Sequence, residues 1–283
     1  MEPLFPIAAA EPMVSQATRC HRATLVTVTY NSSATLTEFW GSFDPSWAEW
    51  VVVDNGSCDD SVEVAKRLGA RVIRLEANRG FSFANNSVRS EQTGDVIIFC
   101  NPDLRVTSAG IECLSELARR RAALVAPQLV NTDGSVQESG RGAPYPHRKI
   151  QHLLGRGASY ASYSRIAEPG DQLEVVWAMG AAIAASRETL DRIGWWNDKY
   201  FIYYEDHEIA LRALRHGVPT IIDGSTRWTH GWARETARGF SWRAWGHEIR
   251  SGLRFYLTHL YCILPLGRHG RRLRQADRLV ETS

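Results

Sequence analysis

Residues 23–32 read ATLVTVTYNS. Six of the first seven residues are β-branched or leucine, and the run then breaks into Tyr30, Asn31 and Ser32. That length and branching predict a buried strand whose carboxyl end opens onto a polar turn. The same pattern recurs along the first half of the chain. Trp50–Val53 runs into Asp54-Asn55-Gly56-Ser57, Arg71–Leu75 leads to Asn78-Arg79-Gly80-Phe81, and Asp95–Cys100 ends in Asn101-Pro102-Asp103. Helices are expected between these runs, at Ala34–Trp40, at Asp59–Leu68 with its acidic start and basic finish, and at Phe83–Ser90. A further helix, Ser108–Arg121, is expected with Ser108 as its cap. Strands alternating with helices predict an α/β fold: a mainly parallel central sheet with helices on both faces.

The second half of the chain reads differently. Asn131-Thr132-Asp133-Gly134, within Leu129–Gln137, signals a hairpin turn. Residues 139–171 are rich in Gly, Pro, Ser and Arg and read as a loop or an acceptor-side insertion. Glu174–Ser186 reads as strand and Glu205–Arg215 as helix. Pro219–Ile222 and Arg227–His230 read as two short strands, and Ser241–Leu260 as one long amphipathic helix.

Composition narrows the class. The chain has 283 residues, 44% of them hydrophobic, which suffices for one large core with an appendage. A net charge of +2 gives no reason to expect nucleic acid as a partner. The five cysteines are scattered and include no CxxC, which argues against a zinc site or a disulfide framework and fits a cytoplasmic setting. The opening MEPLFPIAAAEPM has no Lys or Arg before Arg19, so no signal-peptide start is expected, and no apolar run reaches the length of a spanning helix. The organisation expected is a loose segment at 1–21, a main domain at 22–238 and a basic helical extension at 239–283.

In an open parallel sheet, ligands sit beyond the carboxyl ends of the strands, so the polar groups there are the candidates. Asp54 directly follows three valines and can accept from a ribose hydroxyl or a base N–H; it can equally form an Asx-turn into Gly56. No GxGxxG follows any strand, which argues against a dinucleotide site. Asp103, fixed behind Pro102, is a modest divalent-cation ligand if a diphosphate supplies further oxygens; the alternative is a turn with no metal. Tyr203-Tyr204-Glu205-Asp206-His207-Glu208 crowds three carboxylates at a helix start. The helix dipole favours them there, and the same crowding can make a general base. His230 can join Asp103 in a mixed oxygen–nitrogen shell suited to Mg²⁺ or Mn²⁺, although a lone histidine is more often structural. Arg234 and Arg238 can clamp a diphosphate bidentately, or as exposed arginines do nothing specific.

These residues, in this order across about residues 22–235, resemble the family 2 glycosyltransferases of the GT-A fold, closest to a bacterial rhamnosyltransferase branch. The resemblance implies a nucleotide-sugar donor held by Thr29, Tyr30, Asn31, Asp54, Asn78, Gly80, Phe81, Asn101 and Arg234, with Asn31 and Asp54 at the nucleoside. It implies a divalent cation (Mg²⁺ or Mn²⁺) on Asp103 and His230. Asn101-Pro102-Asp103 stands where the family has Asp-x-Asp, so the first position departs from the pattern. Glu205-Asp206 matches the family's catalytic pair, with Asp206 as the base. The reaction implied is inverting transfer, with dTDP-L-rhamnose as first guess for donor and a glycan or polyprenyl-linked sugar as acceptor. A nucleotidyltransferase would need a Gly-rich, Lys-bearing phosphate loop that Thr29-Tyr30-Asn31-Ser32 lacks. A non-catalytic glycan-binding protein of the same fold would not need Asp103, Asp206 and His230 together.

Residues 241–274 interleave Trp245, Leu253, Phe255, Leu257 and Leu260 with Arg243, Arg250, Arg254, Arg268, Arg271, Arg272 and Arg274. That pattern suits a helix lying on an anionic membrane, peripheral on its cytoplasmic face. It also suits a helix packed on the core or across a homodimer.

Overall fold

Leu25, Trp50, Val52 and Ile98 lie in one apolar cluster, while Val26, Val51, Val53, Ile97 and Phe99 lie in another. Successive residues of each strand therefore feed opposite faces, and both faces are covered. The computed structural model describes residues 23–91, 93–148, 163–231 and 242–282. Its strands are β1 (Thr24–Thr29), β2 (Glu49–Asp54), β3 (Arg71–Arg74), β4 (Val96–Cys100), β5 (Leu104–Arg105), β6 (Leu124–Val130), β7 (Gly140–Arg141), β8 (Ser164–Arg165), β9 (Gln172–Val175), β10 (Trp177–Ala178), β11 (Ala182–Ser186) and β12 (Thr220–His230). Its helices are α1 (Ser33–Trp40), α2 (Ser61–Arg67), α3 (Phe81–Asn86), α4 (Ser108–Arg121), α5 (Arg187–Ile193), α6 (Glu205–Arg215), α7 (Trp242–Thr258) and α8 (Gly267–Thr282).

The large sheet runs β3-β2-β1-β4-β11-β6-β12-β5, with β9 also paired to β12. Strands β1 to β4 are mutually parallel. β11 opposes both β4 and β6, so β6, and β12 parallel to it, run with β1 again. The sheet is thus mainly parallel, as expected, with β11 reversed at its centre and β5 and β9 antiparallel to β12. Helices α1, α2 and α4 cover one face through Leu36, Phe39, Trp40, Val64, Ala65, Ile111 and Leu114. Helices α3, α5 and α6 cover the other through Ala84, Leu190, Ile193, Ile209 and Ala213.

Several local expectations change. The apolar stretch 174–186 is three elements, because Val176 and Met179 hydrogen-bond out to Arg141 and Ser139 and break the ladder. The two short strands at 219–230 are one strand with an irregularity between Asp223 and Arg227. Thr107, not Ser108, caps α4: its hydroxyl accepts the Gly110 N–H. Helix α3 starts at Phe81, two residues earlier than expected, and ends at Asn86. The Asn131–Gly134 turn forms as expected, closed by the Gly134 N–H on the Asn131 carbonyl. In segment 139–171, β7 and β8 pair antiparallel and join β10 in a small second sheet.

The carboxyl-terminal region holds the long helix expected at 241–260, as α7, and adds a second helix, α8, after a 3₁₀ turn (Leu260–Cys262). It packs on the main body. Phe255, Cys262, Leu273 and Val280 share a buried cluster with Trp177, Tyr200, Tyr204 and Leu211. Asp277 accepts from the Ala143 N–H at 2.6 Å and pairs with Arg148 at 2.7 Å. Among the described residues no helix is long and apolar enough to cross a membrane.

Candidate active site

The parallel strands put their carboxyl ends on one edge of the sheet. Thr29 and Asp54 are register partners there. The Thr29 hydroxyl donates to Asp54 Oδ1 at 3.4 Å, and the Ser57 N–H donates to Oδ2 at 3.2 Å. Asn31 has a left-handed backbone (φ 51°). In that turn its N–H donates to Ser57 Oγ and its side-chain oxygen accepts from the Cys58 N–H. The β1 and β2 turns are therefore tied into one polar floor, with Tyr30 half exposed beside it.

Asn55 carries this network to the third turn. Its amide donates to Asn78 Oδ1 at 3.0 Å, and its oxygen accepts from the Arg79 N–H at 2.8 Å. Gly80 has φ 88°, and a Cβ there would fall 2.6 Å from the Phe201 carbonyl oxygen. Only glycine allows the close approach in which the Phe81 N–H donates to that oxygen at 2.7 Å. Phe81 itself packs edge-on against Trp196 at 5.4 Å. Asn78, Gly80 and Phe81 thus join the third turn to this network and anchor the segment that leads to α6.

Asp103 and His230 meet because β5 returns antiparallel against the end of β12, pairing Leu104 with His230. His230 Nε2 lies 3.5 Å from Asp103 Oδ1. The Gln137 amide nitrogen donates to the His230 carbonyl and to Asn131 Oδ1, which turns its oxygen to His230 Nδ1 at 2.9 Å. Nδ1 then donates to the Gln137 oxygen, and Nε2 is the ring nitrogen that faces Asp103. The loop ahead of Asp103 is held by Trp40, whose indole N–H donates to the Pro102 carbonyl at 3.0 Å. Among the described residues no group of three or more His, Cys, Asp or Glu converges as a metal site.

Glu205 and Asp206 open α6 after two consecutive residues, Tyr203 and Tyr204, with φ near +68°. Such a backbone is costly for a non-glycine residue and is held by packing. The Tyr204 ring lies 5.2 Å from Phe255 and against the backbone of Gly252. Asp206 Oδ2 accepts the Gly180 N–H at 3.3 Å; Oδ1 accepts the His207 N–H at 2.8 Å and lies 2.6 Å from His207 Nδ1. The His207 ring is stacked on Trp177, with centroids 3.6 Å apart. Burial alone would raise the Asp206 pKa, but the His207 charge and these hydrogen bonds outweigh it and hold the carboxyl below the usual carboxylate range. Glu205 behaves oppositely. Burial and then the Asp206 charge push it up to about 8, and its Oε2 is buried without a hydrogen-bond partner.

A short path joins the two halves. Asp206 touches Gly180, the next residue Ala181 accepts the Asn101 N–H at 2.8 Å, and Asn101 is two residues from Asp103. This chain of contacts links the turn after β4, which holds Asn101 and Asp103, to the start of α6. Arg234, with Arg238, lies outside the described residues. Gln137, Trp177, Gly180 and His207 were given no role in the sequence reading. Gly180, set between Met179 and two alanines, was the readable signal, since an isolated glycine in an apolar run marks a close approach.

The solved structures with this shape include GalNAc-T7 with UDP, GalNAc and Mn²⁺ (TM-score 0.60, 17% identity, covering 84% of this chain and 48% of that one). They also include the mannosyltransferase PcManGT of Pyrobaculum calidifontis in complex with GDP-Man and Mn²⁺ (TM-score 0.55, 16% identity, 91% of this chain and 69% of that one). This chain thus spans about half the length of the GalNAc-T7 structure. The fold is that of the GT-A glycosyltransferases. Residues 24–167 match the model for Glycosyl transferase family 2, and the chain belongs to that family. It is 27% identical over 237 residues to the N-acetylglucosaminyl-diphospho-decaprenol L-rhamnosyltransferase of Mycobacterium tuberculosis (76% of this chain, 77% of that protein). It is 25% identical to the low-salt glycan biosynthesis hexosyltransferase Agl10 of Haloferax volcanii (72% and 65%).

Proposed function

We propose that this transferase moves a sugar, with L-rhamnose from dTDP-L-rhamnose the first choice, from a nucleoside-diphosphate donor to a hydroxyl of a glycan or polyprenyl-linked acceptor, inverting the anomeric centre. The observation that carries the reading is Asp206, kept ionised by Gly180 and His207 at the sheet edge that also presents Asn101 and Asp103. The rhamnose choice is supported by the likeness to the mycobacterial rhamnosyltransferase.

Each residue has a task. Asp54 and Asn31 receive the nucleoside at the polar floor, beside Thr29 and Tyr30. Asp206 takes the proton from the acceptor hydroxyl as that oxygen bonds to the anomeric carbon. The bond from that carbon to the diphosphate breaks, and its electron pair leaves with the nucleoside diphosphate. Glu205, holding its proton, keeps a second negative charge away from the attacking oxygen. Asp103 and His230 Nε2 form an oxygen–nitrogen pair that fits Mn²⁺ or Mg²⁺ completed by diphosphate oxygens. A cation held there would offset charge on the leaving diphosphate.

Incubating the chain with a panel of nucleotide sugars tests the proposal. Release of a nucleoside diphosphate, fastest with dTDP-L-rhamnose, is expected; release of pyrophosphate would place the enzyme among the nucleotidyltransferases instead. The domain limits at 22–238 and 239–283, and a peripheral place on an anionic membrane through residues 241–274, belong to the same proposal.

A further inference from the structure

Helix α7 carries three different faces in order around its circumference. Ser251, Gly252 and Phe255 face the body: the Ser251 hydroxyl donates to the Ile202 carbonyl, Gly252 abuts Tyr204, and Phe255 is fully buried. Ile249, Leu253 and Leu257, at i, i+4 and i+8, form a stripe in which each residue is more than 60% exposed, and Leu260, Leu264 and Leu266, beyond the end of the helix, are exposed too. Between the stripe and the buried face lie Arg250 and Arg254. A soluble helix normally buries such a stripe, so the exposed one marks an apolar partner.

The arginines line a cavity of about 230 Å³ together with Arg79, Lys199, Phe201 and His247. Four permanent cations surround it, and the one carboxylate on its wall, Asp198, already accepts from Asn86 at 2.5 Å. Among the described residues none of Arg79, Lys199, Arg250 and Arg254 forms an ion pair. Arg254 donates to the Lys199 carbonyl, and Arg79 lies over the Phe83 ring at 3.7 Å. Four cations against one carboxylate at a cavity wall leave an excess of positive charge that suits an anion with several acceptor oxygens. The cavity's lining includes none of Asp54, Asp103 and His230. Its wall residue Phe201 belongs to the segment that leads into α6, four positions before Glu205.

We propose that this cavity binds the phosphate or diphosphate of a membrane-borne amphiphile whose apolar chain follows the Ile249–Leu253–Leu257 stripe into the lipid. Resting on the transferase reading above, it assigns the acceptor's phosphate a seat next to Asp206, distinct from the donor's diphosphate. The stripe lies in the bilayer surface, and the arginine rim sits at headgroup level.

The test is binding of farnesyl diphosphate, farnesol and inorganic pyrophosphate to the full chain in chelator, without donor. Farnesyl diphosphate should bind best, because only it offers both parts. Arg250→Gln and, separately, Lys199→Gln should each weaken it by about tenfold, the loss of one charge-assisted contact. Leu253→Ser should weaken farnesyl diphosphate and leave pyrophosphate unchanged. Asp103→Asn should leave both unchanged, and all variants should melt within a few degrees of the parent chain. The proposal is overturned if Asp103→Asn weakens binding and Arg250→Gln does not, which would put the ligand in the donor cleft. It is equally overturned if farnesyl diphosphate binds no better than pyrophosphate, or if the stripe proves to be the contact of a dimer that Leu253→Ser dissociates. Loss of nucleotide-sugar turnover with these binding results intact would count against the transferase reading alone.

Discussion

Gly180 and Asp206 are in direct contact: the Gly180 N–H donates to Asp206 Oδ2 at 3.3 Å, and a Cβ at 180 would lie 3.1 Å from the Asp206 Cβ. The backbone of a segment between two strands thus sets the position of a carboxylate at a helix start. Gly180 does not have a left-handed backbone, so alanine is conformationally acceptable there. What alanine does is push Asp206 by a few tenths of an ångström. Gly180→Ala should lower kcat about tenfold, since small misplacements of a reacting group are expensive, while nucleotide affinity stays unchanged. Steady-state kinetics beside nucleotide titration checks this; an unchanged kcat would mean that the position of Asp206 does not limit the reaction.

Asp206→Asn keeps the shape and the Gly180 contact but removes the base. Transfer should fall by roughly a hundred- to ten-thousand-fold, the usual worth of a positioned general base. Nucleoside diphosphate should bind as before, because the floor proposed for it is built from Thr29, Asn31 and Asp54. Substantial residual turnover would take the base assignment away from Asp206.

The strand ends were legible because each buried strand stops at an abrupt polar step: Thr29 to Tyr30, Val53 to Asp54, Cys100 to Asn101. One sequence carries that contrast without help from tertiary structure. Helix α6 was legible to the residue, since Glu205 starts it and Arg215 ends it. Direction was not legible. Val175–Ser186 is apolar throughout, and an apolar run does not say whether it is one strand or three, or which way it pairs. The reversed β11 is what brings Gly180 to Asp206. Gln137 was hidden for a different reason: its role depends on a register that sets it 93 positions from His230, and nothing local to a hairpin glutamine announces that.

Gln137 orients His230, so its loss should show in metal affinity before it shows in folding. In Gln137→Leu the Nδ1–H has no acceptor, and the ring is free to take the tautomer that protonates Nε2. Mn²⁺ affinity in the presence of nucleoside diphosphate, followed by electron paramagnetic resonance, should drop roughly 10- to 100-fold. Chelator should stop turnover in the parent chain, and Mg²⁺ or Mn²⁺ should restore it. Full activity in chelator would remove Asp103 and His230 from any metal role.

Glu205 should leave a signature in stability. The folded chain holds its proton up to about 8, whereas the unfolded chain releases it near the ordinary value of 4.5. Between those values the folded state binds more protons, so stability falls as pH rises through the window and levels off above it. Below the window both states are protonated and nothing is lost. Asp206 acts in the other direction, its contribution being lost only as pH falls below the usual Asp range, so the two effects separate on the pH axis. Gln at 205 mimics the protonated form at every pH. Glu205→Gln should therefore melt close to the parent at about pH 5 and a few degrees above it at about pH 8. A melting difference that stays flat with pH would mean that Glu205 ionises normally and leaves Asp206 a charged neighbour during the reaction.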